Sequence, residues 1–166
     1  MAKSRNEGAG TVGWFPHAGA IAILLQAFPR ETGLAGIDTL AHWHQLVAAR
    51  DASGLDALLA DDVVFHSPVV HTTQAGRART LPYLAAAFHV FFNDSFRYVR
   101  EIRGERDAML EFSVTIDDIE VNGVDIIRWN EDGRIVDFKV MLRPLKAIHL
   151  IHEQMGAMLQ QGEPRA

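Results

Sequence analysis

Ile119-Glu-Val-Asn-Gly-Val-Asp-Ile-Ile-Arg-Trp129, followed by Asn130-Glu-Asp-Gly133 and then Arg134-Ile-Val-Asp-Phe-Lys-Val-Met-Leu142, is the stretch on which the fold turns. Successive side chains of a strand point to opposite faces. One parity of the first segment holds Ile119, Val121, Gly123, Asp125, Ile127 and Trp129, and the other holds Glu120, Asn122, Val124, Ile126 and Arg128. In the second segment Val136, Phe138, Val140 and Leu142 share one parity, with Asp137 and Lys139 on the other. The four residues between them end in a glycine, which takes positive φ without steric cost, so the two segments are predicted to form a hairpin. Upstream, residues 96–103 and 108–117 read as two further strands separated by Gly104-Glu105-Arg106-Asp107. A run of antiparallel strands is therefore expected from Phe96 to Leu142.

The preceding segment has helical periodicity. Asp38 suits the N-cap of a helix through Ala49, with Leu40, Trp43 and Val47 on one face. A short helix is expected over Leu55 to Ala60, then a strand over Asp62 to Pro68, closed by a proline that cannot donate to a ladder. After a loop from His71 to Gly76, the spacing of Leu81, Leu84, Phe88 and Phe91 predicts a helix over Thr80–Phe91, with Pro82 in its first turn. The last helix, about Pro144 to Gln160, carries Leu145, Ile148, Ile151, Met155 and Leu159 at three- to four-residue spacing. This order predicts an α+β domain in which helices cover one face of a strongly curved, mostly antiparallel sheet.

With 166 residues, 48% hydrophobic and 22% charged, the chain has the size and composition of one globular domain. The patterned domain spans 38–160, leaving an extension at 1–37 and a tail at 161–166. The extension holds an apolar run from Ala18 to Phe28, too short for the ~20 residues that cross a bilayer. Lys3 and Arg5 precede it, but Glu7, the long polar lead-in and the lack of a small-x-small cleavage pattern argue against a secretory signal. A short packing helix or a poorly ordered segment is expected instead, with no membrane partner. A net charge of −5 supplies no field for a polyanion, so nucleic acid is not an expected partner. The absence of cysteine rules out disulfides and thiolate chemistry and fits a cytoplasmic location. No cofactor or metal motif is present; His66 and His71 lack a third ligand at diagnostic spacing.

Chemistry then rests on carboxylates and histidines. Asp125 lies in the middle of an apolar row, where desolvation raises a carboxyl pKa and a neutral acid can donate to a ligand carbonyl or enolate. The opposite parity stays open: with Val124 and Ile126 inward, Asp125 would face outward beside Arg128 or Arg143. On the first strand Val63, Phe65 and Ser67 share one parity and Val64 and His66 the other, and either Ser67 or His66 is a candidate to line a cavity closed by Trp43. An unperturbed imidazole titrates near pH 6.5, which suits proton transfer, so His66 is the candidate base and Asp125 the candidate acid. Phe65, Tyr83, Phe138 and Val140 are candidate ligand contacts, and Arg143, at the exit of the last strand, a candidate for the cavity mouth.

Trp43 on the first helix, Ala60-Asp61-Asp62-Val-Val-Phe-His-Ser-Pro68, and Val124-Asp125-Ile-Ile-Arg-Trp-Asn-Glu-Asp-Gly-Arg-Ile135 together resemble the nuclear transport factor 2-like superfamily. Over residues 38–145 the chain is most similar to its SnoaL-like branch, which includes polyketide cyclases, and to ketosteroid isomerases. The resemblance implies a cone-shaped curved sheet, wrapped by three to four helices around an apolar cavity, and often a homodimer through the outer sheet face. In the isomerases the acid opening the D-x-x-R motif donates to the developing oxyanion, which corresponds to Asp125. Their base immediately precedes the strand-ending proline, where this chain has Ser67, and their second oxyanion donor is a tyrosine at the position of Trp43. The epoxide-hydrolase branch has an aspartate where this chain has Val140.

Three functions follow as expectations: a cofactor-independent isomerase, cyclase or lyase acting on a small hydrophobic carbonyl compound; a non-catalytic module binding an apolar ligand; or an interaction protein acting through its sheet face. The directions in which Asp125 and His66 point separate them.

Overall fold

The computed structural model describes residues 38–162; the extension at 1–37 and the residues beyond 162 lie outside the described residues. The elements are α1 (Thr39–Ala49), a single 3-10 turn (Ala52–Gly54), α2 (Leu55–Leu58), β1 (Leu59–His66), β2 (Gln74–Ala75), α3 (Arg77–Phe91), β3 (Arg97–Arg103), β4 (Asp107–Ile116), β5 (Ile119–Trp129), β6 (Ile135–Arg143) and α4 (Leu145–Gly162). The fold is the expected α+β arrangement, a six-stranded mixed sheet ordered β2-β1-β6-β5-β4-β3 and covered by helices. All neighbouring strands are antiparallel except β1 and β6, which run parallel.

Local chemistry sets the element ends. Asp38 caps α1 by accepting from the Ala41 N–H at 3.0 Å. Between β4 and β5 the chain reverses on Asp117 and Asp118, both at positive φ (47° and 61°), the conformation a two-residue hairpin turn requires. Gly133 (φ 72°) makes the turn into β6. Helix α3 begins a turn earlier than its apolar spacing indicates, after Gly76 (φ 87°), so Pro82 lies in the second turn and the Ala78 carbonyl forgoes an α-helical donor. Strand β1 also starts early, at Leu59. The apolar Leu58-Leu59-Ala60 prolongs the helical pattern in the sequence, and the exposed pair Asp61-Asp62 interrupts alternation, with a register shift against β6 before Val64. At the other end α4 extends to Gly162, two residues into the expected tail.

Strand β5 alternates without interruption: Val121, Gly123, Asp125 and Ile127 are buried, and the residues between them are less so. It pairs over its length with both β4 and β6. Two clusters fill the helix-covered face. Leu40, Trp43, Leu55, Leu58, Phe65 and Phe138 anchor one, and Phe91, Phe112, Val114, Val121, Ala147 and Ile151 the other. Burying one such aliphatic side chain contributes about 1.5–3 kcal/mol. Gly123 sits where the sheet is tightest, since a Cβ there would lie 2.7 Å from Leu142 Cδ2 and closer still to the Phe112 ring.

A β-bulge decides which residues of β3 face inward. Tyr98 pairs with Phe112, yet Arg100 pairs with Glu111, so an extra residue is accommodated at Val99. Alternation resets there, and Tyr98 and Glu101 both turn toward α1.

Candidate functional site

Between α1, α3 and the inner face of the sheet lies a small cavity of about 30 Å³. Its walls are apolar: Trp43, Phe65, Phe88, Phe138 and Val140 on one side, Phe92, Phe96 and Phe112 on the other. Asp125 is the only titratable side chain among the described residues that line it. The inward reading of β5 therefore holds, and this carboxyl group is 6% exposed.

The aromatic walls are locked edge to face. Trp43 packs on Phe88 (5.7 Å, 89°) and Phe92 on Phe96 (4.5 Å, 78°). Around Asp125 runs a short chain of polar groups. The Trp43 indole Nε1–H donates to Tyr98 Oη at 2.8 Å, and Tyr98 Oη donates to Asp125 Oδ2 at 3.0 Å. An indole nitrogen only donates, so it fixes the direction of the chain: the phenol oxygen accepts from Trp43, and its own hydrogen is free for the carboxyl group. Oδ1 of Asp125 makes no hydrogen bond to a described residue and is not sealed off by protein atoms, which leaves it to the cavity.

Burial dominates the electrostatics. Removal from water raises the Asp125 pKa to about 7, although the hydrogen bond from Tyr98 favours the charged form. Burial, and then the neighbouring Asp125 charge, push the Tyr98 phenol well above its ordinary range, so it stays a neutral donor. On the outer side of Tyr98, the His44 ring stands edge-on at 5.2 Å and His44 Nε2 donates to Glu101 Oε2 at 2.8 Å. The bulge at Val99 makes that pairing possible.

Of the sequence-derived candidates, Asp125, Trp43, Phe65, Phe138 and Val140 meet at the cavity. Four do not. His66 follows the parity opposite to the buried Val63 and Phe65, and its Nε2 donates to Asp137 Oδ2 at 3.0 Å on the other face of the sheet. Proton transfer between His66 and a ligand at Asp125 is therefore not supported by the geometry. Ser67 accepts from the Val69 N–H at 3.2 Å in a local turn beyond the end of β1. Tyr83 stacks at 6.0 Å on the back of Phe65 instead of reaching the cavity. Arg143 stands opposite Asn122, on the parity facing away from Asp125, and its Nε donates to Asn122 Oδ1 at 2.6 Å. Sequence reasoning placed Tyr98 among core aromatics and missed its role as the partner of Asp125. A tyrosine between the exposed Arg97 and Val99 was the available signal.

Among the described residues, no group of three or more histidines and carboxylates is placed to hold a metal ion, and no helix is long and apolar enough to cross a membrane. No curated protein sequence matches the chain. A steroid delta-isomerase from Pseudomonas aeruginosa is 43% identical, with a TM-score of 0.70 over 74% of this chain and 90% of that one. A protein with a cystatin-like fold from Silicibacter pomeroyi is 35% identical, with a TM-score of 0.70 over 77% of this chain and 90% of that one. The epoxide hydrolase/cyclase-like enzyme SalBIII, of pyran ring formation in salinomycin, is 15% identical with a TM-score of 0.53 over 63% of this chain and 88% of that one, a likeness of fold alone. The sequence model of the SnoaL-like domain matches residues 40–138, so the chain belongs to the SnoaL-like domain family, with a fold of the nuclear transport factor 2-like type.

Proposed function

We propose that the protein binds a small, largely apolar carbonyl compound in this cavity, with neutral Asp125 donating a hydrogen bond from Oδ1 to the ligand oxygen, and that it acts as a cofactor-independent isomerase or cyclase. One observation carries the reading: a buried carboxyl group with a pKa of about 7, one oxygen held by Tyr98 and the other open to an otherwise apolar cavity. Trp43, Tyr98 and Asp125 form three donors in series, and each polarises the next. A carbonyl oxygen that gains negative charge on enolisation or ring closure draws more from such a donor than the ground-state carbonyl does, which is the condition for catalysis. Near neutrality Asp125 also populates its carboxylate form, so the same group can take a proton from carbon and return it.

A second reading, a binding module without turnover, is favoured by the absence of another titratable side chain among the described residues lining the cavity. Two measurements separate them. Calorimetric titration with 2-naphthol, a phenol resembling an enol, should show binding that weakens at least tenfold in Asp125→Asn and is unchanged in His66→Ala. A β,γ-unsaturated steroid ketone, the substrate class suggested by the isomerase relative, should be converted to its conjugated enone, followed by ultraviolet absorbance. Binding without conversion of this or simpler β,γ-unsaturated ketones favours the passive module; no binding removes the ligand reading altogether.

We propose in addition that two copies pair through the outer sheet face. Ile102, Met109 and Ile126 form one row across β3, β4 and β5, and Val124 and Met141 form another across β5 and β6. Ile102 and Met141 are more than half exposed, at 56% and 57%. Apolar side chains massed on one face of a sheet are costly to leave in water.

A further inference from the structure

The 30 Å³ beside Asp125 holds one or two water molecules and no ring. Any ligand whose oxygen reaches Oδ1 must therefore extend beyond the cavity, and the structure offers one adjoining space. A cleft of about 370 Å³ lies outside Phe92 and Phe96, the two rings that line both compartments. Tyr98 also bridges them, its hydroxyl on Asp125 and its ring on the cleft.

The partition is made of side chains on a fixed turn. Asn93 Nδ2 donates to Thr115 O at 2.9 Å, the Thr115 N–H donates to Ser95 Oγ at 2.8 Å, and Ser95 Oγ donates to Asn93 Oδ1 at 2.6 Å. With the backbone between them tied to β4 in this way, Phe92 and Phe96 can open the route by rotating, without movement of the turn.

The cleft differs chemically from the inner cavity. Its apolar wall is Val47 and Ala48, and its rim carries His44, Arg50, Asp94 and Arg97. Arg50 is neutralised by Asp94 at 2.5 Å, and His44 is held by Glu101 at 2.8 Å. Arg97 has no carboxylate partner among the described residues; its guanidinium makes one hydrogen bond, to Ser95 O at 3.3 Å. A planar guanidinium with unused N–H donors at the edge of an apolar slot suits a carboxylate.

Building on the site reading above, we propose that the ligand spans both compartments and is an amphipathic oxo compound. Its carbonyl or enol oxygen meets Asp125, a bicyclic or larger apolar skeleton passes between Phe92 and Phe96, and a carboxylate at the far end is held by Arg97. A bicyclic skeleton is about as long as the tyrosine side chain that links the two spaces.

The test compares two probes at pH 6 by calorimetric titration of the full chain: 6-hydroxy-2-naphthoate, and 2-naphthol, which lacks the carboxylate. The carboxylate should bind at least tenfold more tightly. That ratio should fall to near one in Arg97→Gln, largely return in Arg97→Lys, and persist in Arg100→Gln, whose cation lies on the outer face of the sheet. Equal affinities for the two probes, or a ratio insensitive to Arg97→Gln, overturn the two-compartment ligand while leaving Asp125 as the site. A ratio that falls equally in Arg100→Gln reduces the effect to general charge and also overturns it. Failure of both probes to bind overturns the site reading itself, and this inference with it.

Discussion

Replacing Asp125 by asparagine should abolish a pH dependence of stability that the native chain carries. Folded, the carboxyl group titrates at about 7 because it is buried, whereas unfolded it returns to about 3.8. Between those values the folded state keeps a proton that the unfolded state has lost, so stability falls as pH rises through this range and is level on either side. At about 1.4 kcal/mol for each pH unit, the whole effect is roughly 4 kcal/mol, of which roughly 3 kcal/mol falls between pH 5 and pH 8. Asparagine has the shape of the neutral acid, accepts from Tyr98 through Oδ1 and does not titrate. Urea unfolding followed by tryptophan fluorescence, on both proteins from pH 5 to pH 8, isolates this group, because contributions common to the two cancel in the difference. The asparagine variant should gain roughly 3 kcal/mol on the native protein across that range. A difference constant within about 0.5 kcal/mol over that range would refute the reasoning, since it would mean that the carboxyl group titrates alike in both states.

Tyr98→Phe removes the hydrogen bond that favours the charged form of Asp125 and leaves the Trp43 N–H without its partner. The carboxyl titration seen by carbon-13 NMR should move up, and stability should fall by about 1–3 kcal/mol. Gly123→Ala forces a methyl group against the Phe112 ring and Leu142 in the middle of the sheet, which should lower stability by about 1–3 kcal/mol in the same unfolding assay. Light scattering should give twice the mass of one chain, and the Met109→Glu, Met141→Glu double variant the mass of one chain with an unchanged far-ultraviolet spectrum.

What the sequence revealed depended on how regular each strand is. Asp125 could be placed because β5 alternates without a bulge over its whole length, and Trp43 because α1 has a clear cap and a clear apolar face. Glu101 was illegible. The bulge at Val99 reverses the alternation of β3, and nothing in Arg97-Tyr-Val-Arg-Glu-Ile-Arg103 announces where the extra residue falls. Tyr98, inward before the bulge, was hidden by its aromatic neighbours, which made it look like packing. For His66 the parity of Val63 and Phe65 already pointed outward, and its titration range was the reason to consider it a base. Arg143 lies opposite Asn122, a pairing that depends on the register between β5 and β6, which alternation within either strand does not specify.

The decisive measurement is the affinity for an uncharged ketone as a function of pH, with 1-tetralone as the probe and the native protein compared with Asp125→Asn. If neutral Asp125 is the donor, binding to the native protein should be level below about pH 6 and about tenfold weaker at pH 8, as the group at about 7 loses its proton, with a flat profile for the variant. A native profile as flat as that of the variant, or one that strengthens with rising pH, would contradict the central claim that a protonated Asp125 holds the ligand oxygen.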